Sequence, residues 1–136
     1  MKIIKEEFGV NTKSRNQMVD ITGKVGAVVA KSGIKDGEVT VFCPHTTAAI
    51  TINENADPDV PHDILLTLEK LIPHLQTGYR HGEGNSDAHT KSSIVGCSTQ
   101  VFIENGNLVL GSWQGIFFCE FDGPRSRKVI VQVKGQ

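Results

Sequence analysis

The alternation of apolar and polar positions predicts that the last third of the chain consists of strands. Residues 98–104 alternate, Asn105-Gly106 follows at once, and residues 127–134 alternate again near the end. Alternation is typical of a strand with one buried face, and Asn-Gly is a strong hairpin signal. Residues 116–121 are apolar at nearly every position, which predicts a strand buried on both faces.

The first half of the chain carries further strand patterns. Residues 2–9 and 17–22 are predicted as a first pair of strands, connected by a turn over residues 11–16. Residues 39–43 have almost only apolar neighbours and are therefore placed at the centre of a sheet, and residues 48–53 form another strand. One explanation for several doubly apolar strands is an oligomer that covers their outer face.

The clearest helix spans residues 57–73. Asp57 can accept the free amide hydrogens of the first turn, Pro58 suits the first helical position, and Pro73 ends the run. An apolar stripe at helical spacing predicts that one face of this helix packs on the core. The stripe consists of Val60, Ile64, Leu65, Leu68, Leu71 and Ile72.

Two shorter helices have weaker sequence signals than this one. The first begins at Thr22, its candidate N-cap, and ends at Gly33. The second has Ser86 or Asp87 as its cap and runs to Val95. The combined patterns predict an α+β fold, with antiparallel or mixed sheets and two or three helices.

Length and composition narrow the class of protein. A chain of 136 residues is long enough for one core, so residues 1–136 are expected to form a single compact domain. The 14 basic and 15 acidic residues nearly balance, which argues against a broad nucleic-acid surface. The N-terminus is too short and charged for a signal peptide, and no apolar run has the length of a membrane span. A cytoplasmic protein without membrane or nucleic-acid partners is therefore expected.

The cysteines support the same cellular location. Cys43, Cys97 and Cys119 are an odd number, widely separated, with no Cys-x-x-Cys pair. Buried, reduced thiols are the expectation for such a set in a cytosolic protein. Because no cysteine lies beside a histidine in a polar stretch, and no Gly-x-Ser-x-Gly elbow is present, a cysteine or serine nucleophile is not favoured.

The candidate chemistry lies mainly in residues 79–89, which include His81 and His89, two acids, an arginine and two glycines. Histidine is both the commonest metal ligand and the usual acid–base group near neutral pH. The spacing of eight between the two histidines fits no standard zinc signature. A site loop and an inert polar surface turn therefore remain equally good interpretations of this segment.

Further polar groups interrupt the predicted strands. His45-Thr46-Thr47 breaks one strand, and Trp113-Gln114-Gly115 breaks another. Arg125 and Arg127 follow a turn near the end. Convergence of these stretches would combine imidazoles, an aromatic wall and a guanidinium able to grip phosphate. Each has a plainer explanation: a solvated strand end, a core or interface aromatic, and an exposed turn.

Several of these motifs together resemble those of the YjbQ-like family of small uncharacterised proteins. The resemblance covers nearly the whole chain and is carried by residues 45–49, 51–60, 79–81, 87–89 and 110–116 with Glu120. It implies a compact α+β domain and a homotrimer with polar clefts between subunits. Some members are labelled secondary thiamine-phosphate synthase, an activity that joins a pyrimidine diphosphate to a thiazole phosphate. The site-region positions that the resemblance implies are His45, Asn53, Glu54, Asp57, His81, Glu83, Asp87, His89, Trp113, Gln114 and Glu120.

One hypothesis is a metal-dependent enzyme. His45, His81 and His89 would bind a divalent metal, zinc being the expected ion, because they lie in three separate polar breaks. Glu83 or Asp87 would orient a ring or act as the base.

The same hypothesis includes a second group of site residues. Glu54 is a further catalytic candidate. Arg80 or Arg127 would hold a phosphate, with Trp113 and Gln114 at the same binding region.

Two other hypotheses assign different functions to the same residues. In one, the pocket binds a small anionic metabolite or a metal without turnover, as a scavenger or regulator. In the other, the histidines only tie subunits together.

Overall fold

The computed structural model describes all residues, 1–136, as eight strands and three helices. The strands are β1 Lys2–Asn11, β2 Gln17–Asp20, β3 Gly37–Phe42, β4 Ala48–Glu54, β5 Ser98–Glu104, β6 Asn107–Leu108, β7 Gln114–Glu120 and β8 Ser126–Gly135. The helices are α1 Thr22–Ser32, α2 Asp59–Leu71 and α3 Ser86–Val95.

The strands form two antiparallel sheets. The larger sheet has the order β1-β8-β3-β5-β6, and the smaller has the order β2-β7-β4. This confirms the predicted α+β class and its helix count, and β3 is the central strand of its sheet, as the sequence predicts. All six strand pairs are antiparallel.

The predicted pairing of the first two strands is wrong. β1 pairs with β8 at the other end of the chain, from Lys2 opposite Gly135 to Asn11 opposite Ser126. β2 instead pairs with β7 in the second sheet. The segment between β1 and β2 therefore crosses from one sheet to the other. At its start, the Thr12 amide donates to the Arg125 carbonyl at 2.9 Å.

The main core lies between the larger sheet on one side and α1 with the smaller sheet on the other. Inward-facing valines of β3, β5 and β8 meet Val25 and Val29 of α1. Ile50 and Phe118 enter the same core from the smaller sheet. Burying apolar surface stabilises a fold by about 25 cal/mol per Å². This core is the larger of the two in the chain and therefore contributes most of the hydrophobic stabilisation.

β7 is buried on both faces within a single chain, as its unbroken apolar sequence predicts. Ile116 and Phe118 belong to the main core, whereas Phe117 and Cys119 belong to a second core. That second core is completed by side chains of α2 and α3. The doubly apolar character of this strand therefore has an explanation that requires no oligomer.

Helix α2 differs from its prediction. Asp57 does accept the Asp59 amide at 2.9 Å, but the helix begins at Asp59 and none of its residues is fully buried. Leu65 and Leu68 contact the second core, whereas Leu71 is 73 % exposed. The apolar stripe therefore packs only along one edge.

The caps of the other two helices also differ in detail. Thr22 is the first residue of α1, and its amide and hydroxyl both donate to Asp20 Oδ1, at 2.9 and 2.6 Å. Gly33 ends this helix in the left-handed region, as predicted. Asn85 precedes α3, so that Ser86 lies inside the helix instead of capping it. None of the three helices combines the length and apolar character that crossing a bilayer requires.

Candidate functional site

A polar cavity of about 430 Å³ lies where β7 ends and β4 begins. Its walls come from the segment before β4, the segment before α3, α3 itself, and the turn into β8. No lining residue is hydrophobic, so an apolar ligand gains little by entering it. The eleven lining residues are Pro44, His45, Thr46, Thr47, His81, Glu83, Asn85, His89, Asp122, Arg125 and Arg127.

Two of the three predicted histidines form a pair at this cavity. The rings of His81 and His89 lie edge to face, with centroids 5.3 Å apart and an interplanar angle of 84°. The nearest carboxylate is Glu83, whose Oε2 lies 3.9 Å from His81 Nε2. Both rings line the cavity and therefore have nitrogen atoms available to a ligand.

His45 has a different environment. Its Nε2 accepts the Lys128 backbone N–H at 3.0 Å, and its ring packs edge to face on Phe118. Burial, followed by the nearby Arg127 charge, lowers the His45 pKa. The ring is therefore neutral near pH 7, and because Nε2 is an acceptor its proton lies on Nδ1. His45 is suited to donate a hydrogen bond to a ligand.

Arg127 and Glu120 form a buried ion pair behind the cavity wall. Arg127 Nε donates to Glu120 Oε1 at 2.8 Å, and Nη2 donates to Glu120 Oε2 and, at 2.8 Å, to Thr47 Oγ1. Their side chains are 6 % and 0 % exposed. Nη1 has no partner within the chain and belongs to a residue that lines the cavity.

The pKa of Glu120 reflects this pairing. Burial by itself would raise the pKa, but hydrogen bonds from Arg127, the Asp122 amide and Thr12 outweigh burial. The pKa of Glu120 therefore lies below its ordinary value, and the carboxylate stays ionised. A fixed carboxylate in turn fixes the guanidinium at the cavity wall.

A second polar group surrounds Asp122. Its Oδ2 accepts Arg125 Nη2 at 2.9 Å and Asn85 Nδ2 at 2.7 Å. A carboxylate only accepts, so this contact fixes the orientation of the Asn85 amide. Asn85 Oδ1 is then left buried without a hydrogen-bond partner.

Asp87 does not line the cavity, although the sequence makes it a catalytic candidate. Both its oxygens are engaged: Arg15 binds them at 2.9 Å each, and Lys91 Nζ lies 3.1 Å from Oδ2. Burial opposes ionisation, but the bonds from Arg15 and Lys91 prevail and lower the Asp87 pKa. A carboxylate held in this way is a poor proton acceptor near neutral pH.

Glu54, Trp113 and Gln114 lie at the opposite end of the smaller sheet. Glu54 is opposite Gln114, whereas the cavity is at the end where Ala48 is opposite Glu120. Seven residues of strand span about 20 Å. These three residues, with Trp113 65 % exposed, are therefore separated from the cavity of their own chain.

Arg80 precedes His81 in the loop but does not line the cavity either.

The arrangement of the histidines bears on the expected metal. No three His, Cys, Asp or Glu side chains are grouped closely enough to make a preformed metal site. The zinc ion stays a prediction, for which His81 and His89 are the ligands with available ring nitrogens. Of the polar lining residues, Asp122 was missed by the sequence analysis, whereas Thr47, Asn85 and Arg125 lie in or beside the polar stretches singled out there.

The chain matches known proteins over almost its full length. Residues 6–136 match the family described as "UPF0047 protein YjbQ-like". The UPF0047 protein YugU of Bacillus subtilis is 52% identical over 126 residues, covering 93% of this chain and 96% of the relative. A UPF0047 protein of Methanocaldococcus jannaschii is 51% identical over 129 residues, covering 95% of this chain and 93% of the relative.

Solved structures share the fold. An uncharacterized protein of this family from Clostridium acetobutylicum superposes with a TM-score of 0.93 at 56% identity, covering 95% of this chain and 99% of that one. A protein of unknown function from Sulfolobus solfataricus gives a TM-score of 0.95 at 34% identity, covering 99% of both chains. The expected family resemblance is thus confirmed.

Proposed function

The chain belongs to the YjbQ-like UPF0047 family, and from that premise we propose that its polar cavity binds a small phosphate-bearing or otherwise anionic molecule. One observation carries this proposal: Arg127, held by Glu120, lines the same cavity as the His81–His89 pair, and no hydrophobic residue lines that cavity. A guanidinium suits phosphate oxygens, and imidazole N–H groups can donate to the same anion.

The predicted divalent metal fits this cavity in part. His81 and His89 would hold the ion, and zinc normally has four ligands, of which water or the bound anion can supply some. His45 is less suited, because its Nε2 already accepts the Lys128 amide. When bound, zinc would act as a Lewis acid toward phosphate oxygen, while Arg127 and the His45 Nδ1–H orient the anion.

Binding without turnover is the function that the geometry favours. Of the three carboxylates proposed for catalysis, Asp87 is locked by Arg15 and Lys91, and Glu54 lies at the far end of its sheet. Glu83 alone lines the cavity, 3.9 Å from His81. A transferase of the thiamine-phosphate synthase type is the second candidate, in which Glu83 with His81 would be the acid–base pair.

Changing His81 and His89 together to alanine is expected to weaken phosphate binding at least tenfold and to abolish zinc retention. A hydrogen bond to a charged group contributes about 1.5–3 kcal/mol, which corresponds to roughly 10–150-fold in affinity. Calorimetric titration with inorganic phosphate and pyrophosphate, alongside metal analysis, measures both effects.

The matched control is His62→Ala, an exposed histidine on α2 that is paired only with Asp63. It should behave as the unchanged protein does. Equal phosphate affinity in the double variant would contradict the anion site, and equal metal content would contradict the zinc site. Incubation with the two thiamine precursors separates the candidates: recovery of unchanged precursors supports binding alone, and Glu83-dependent product supports the transferase.

We further propose that three copies associate through the exposed leucines at the end of α2 and just after it. Leu71 and Leu75 are 73 % and 77 % exposed, and exposed apolar patches mark interaction surfaces. In a closed ring of three copies, the end of one chain that carries Trp113 would be able to lie next to the cavity of the neighbouring chain.

Light scattering of the purified protein is expected to give three times the chain mass of 14.8 kDa. Leu71→Glu combined with Leu75→Glu should shift the mass toward that of one chain, because two charges would have to be desolvated at the interface. A monomer at every concentration of the unchanged protein would contradict the assembly, and an unaltered trimer in the variant would contradict this face.

A further inference from the structure

Cys43 and Cys97 lie opposite each other across two neighbouring strands. In the pairing of β3 with β5, Phe42 is opposite Ser98, so the next step along the register pairs Cys43 with Cys97. The Cys43 amide donates to the Cys97 carbonyl at 2.7 Å, which extends the ladder to this pair. Directly opposed residues have Cα atoms about 4.5–5.5 Å apart, inside the roughly 4.4–6.8 Å that disulfides span.

The register also places the two cysteines on the same face of the sheet. Val39 and Val41 of β3 point into the main core, and Cys43 continues that alternation. Val101 lies opposite Val39 and is also buried. Because opposed residues of an antiparallel pair share a face, the side chain of Cys97 lies on the side to which Cys43 points.

The two thiols differ in how easily a reagent reaches them. Cys43 is 1 % exposed, whereas Cys97 is exposed and lines an open cavity together with Thr46 and His89. Accessible thiols meet an oxidant first, and a shielded neighbour then resolves the product. Cys119 differs from both, because it is buried on β7 in the second core.

We propose that Cys43 and Cys97 form a reversible disulfide when the protein meets a low-molecular-weight disulfide such as glutathione disulfide. The Cys97 thiolate attacks one sulfur of the reagent, the reagent's S–S bond breaks, and one glutathione leaves as its thiolate. Cys43 then loses its proton to water and attacks the Cys97 sulfur, which releases the second glutathione. Two protein thiols are thus oxidised by two electrons, and one glutathione disulfide is reduced to two thiols.

The environment of Cys43 sets the order of these events. Cys43 is shielded from solvent, so the reagent reaches Cys97 first and Cys43 then reacts only with the Cys97 sulfur opposite it. A mixed disulfide on Cys97 should accumulate first and then convert to the internal bond. The bond would join the end of β3 to the start of β5, next to the segment that carries His45, and it does not depend on the anion-binding proposal.

Treating the folded full chain with glutathione disulfide, followed by alkylation and mass spectrometry, tests the pair. The expected end product has two hydrogens fewer than the reduced chain and contains a peptide that links Cys43 with Cys97. Its melting temperature should rise by at least about 5 °C, since the bond closes a long loop, and a reducing agent should reverse both changes.

Three variants distinguish the steps. Cys119→Ser should form the same bond, Cys43→Ser should stop at one glutathione on Cys97, and Cys97→Ser should give neither product. If the unchanged protein also stops at a stable adduct on Cys97, or forms only a Cys97–Cys97 link between two chains, the proposal is overturned. The unchanged protein alone decides this point, so the result does not depend on whether Cys43→Ser folds.

Discussion

Replacing Glu120 by glutamine is expected to lower the free energy of unfolding by about 3–5 kcal/mol, the usual cost of leaving one member of a buried ion pair uncompensated. Arg127 would keep its charge at 6 % side-chain exposure while losing its anionic partner. Glutamine has nearly the same shape, so the loss would come from charge and hydrogen bonding. Chemical denaturation of the two proteins at pH 7 measures the difference.

The double variant Glu120→Leu with Arg127→Met is the control for this pair. Replacing both partners by apolar groups is often neutral, so most of the lost stability should return. Phosphate binding should be weaker than in the unchanged protein, because the guanidinium is gone. A double variant as unstable as Glu120→Gln would show that shape dominates, and one that binds phosphate normally would remove Arg127 from the proposed site.

The same pair predicts a dependence of stability on pH. The folded pKa of Glu120 lies below its ordinary value of 4.5, so the unfolded chain takes up this proton first as the pH falls. The contribution is therefore fully present above pH 4.5 and is lost as the pH falls through the lowered pKa. The glutamine variant should show a flatter stability curve than the unchanged protein below pH 4.5.

The sequence predicted individual elements better than it predicted their partners. The continuous apolar run in β7 correctly indicated a strand buried on both faces, because burial acts on each residue separately. That run does not specify which elements pack against each face of the strand. In this fold both faces pack against elements of the same chain. The pairing of β1 with β8 joins residues more than a hundred positions apart, which no local period encodes.

Helix α2 shows the same limit in a different form. Its period correctly predicted a helix, since apolar residues recur every three to four positions. The period does not indicate whether the apolar face packs on the core of the same chain or on the surface of another molecule. In this fold α2 packs Leu65 and Leu68 against the second core on the smaller sheet and leaves Leu71 in solvent.

Within the site, residue type and position were informative for the three histidines and Arg127, but not for Arg80, Asp87 or Glu54. The structure places His45, His81, His89 and Arg127 at one cavity, as their positions in polar breaks suggested. Carboxylates serve equally well in catalysis and in structural ion pairs. Asp87 is paired with Arg15, 72 positions away, and such a partner is invisible to local sequence patterns.

The sequence around Glu120 and Asn85 contains weak indications of the roles that these two residues have in the structure. Glu120 is the only charged residue at the end of an otherwise apolar strand, and a buried charge there requires a partner. Asn85 lies in the candidate segment 79–89 but received no role of its own, because Ser86 or Asp87 was expected to cap the helix. Only the structure reveals that its side chain donates to Asp122 instead of capping the helix.

Replacing Asp87 by asparagine is expected to cost about 3 kcal/mol of stability while leaving phosphate affinity within a factor of two. Asp87 is completely buried and neutralises both Arg15 and Lys91, whose side chain is 1 % exposed. Lys91 would keep its ion pair with Glu69 at 2.7 Å, and Arg15 is partly exposed to solvent. The loss of stability should therefore lie at the lower end of the range for a buried ion pair that loses one partner. Denaturation and phosphate titration of the same sample measure the two quantities.

Two comparisons make this result decisive for the role of Asp87. Adding Lys91→Met to Asp87→Asn removes the buried cation and should recover part of the stability, whereas Glu83→Gln, at an exposed position, should change stability by less than about 0.5 kcal/mol. A stable Asp87→Asn protein with phosphate binding or turnover lost would instead make Asp87 a site residue. In that event the ion network with Arg15 and Lys91 would serve to position a reacting carboxylate, and the binding-only proposal would have to give way to the transferase.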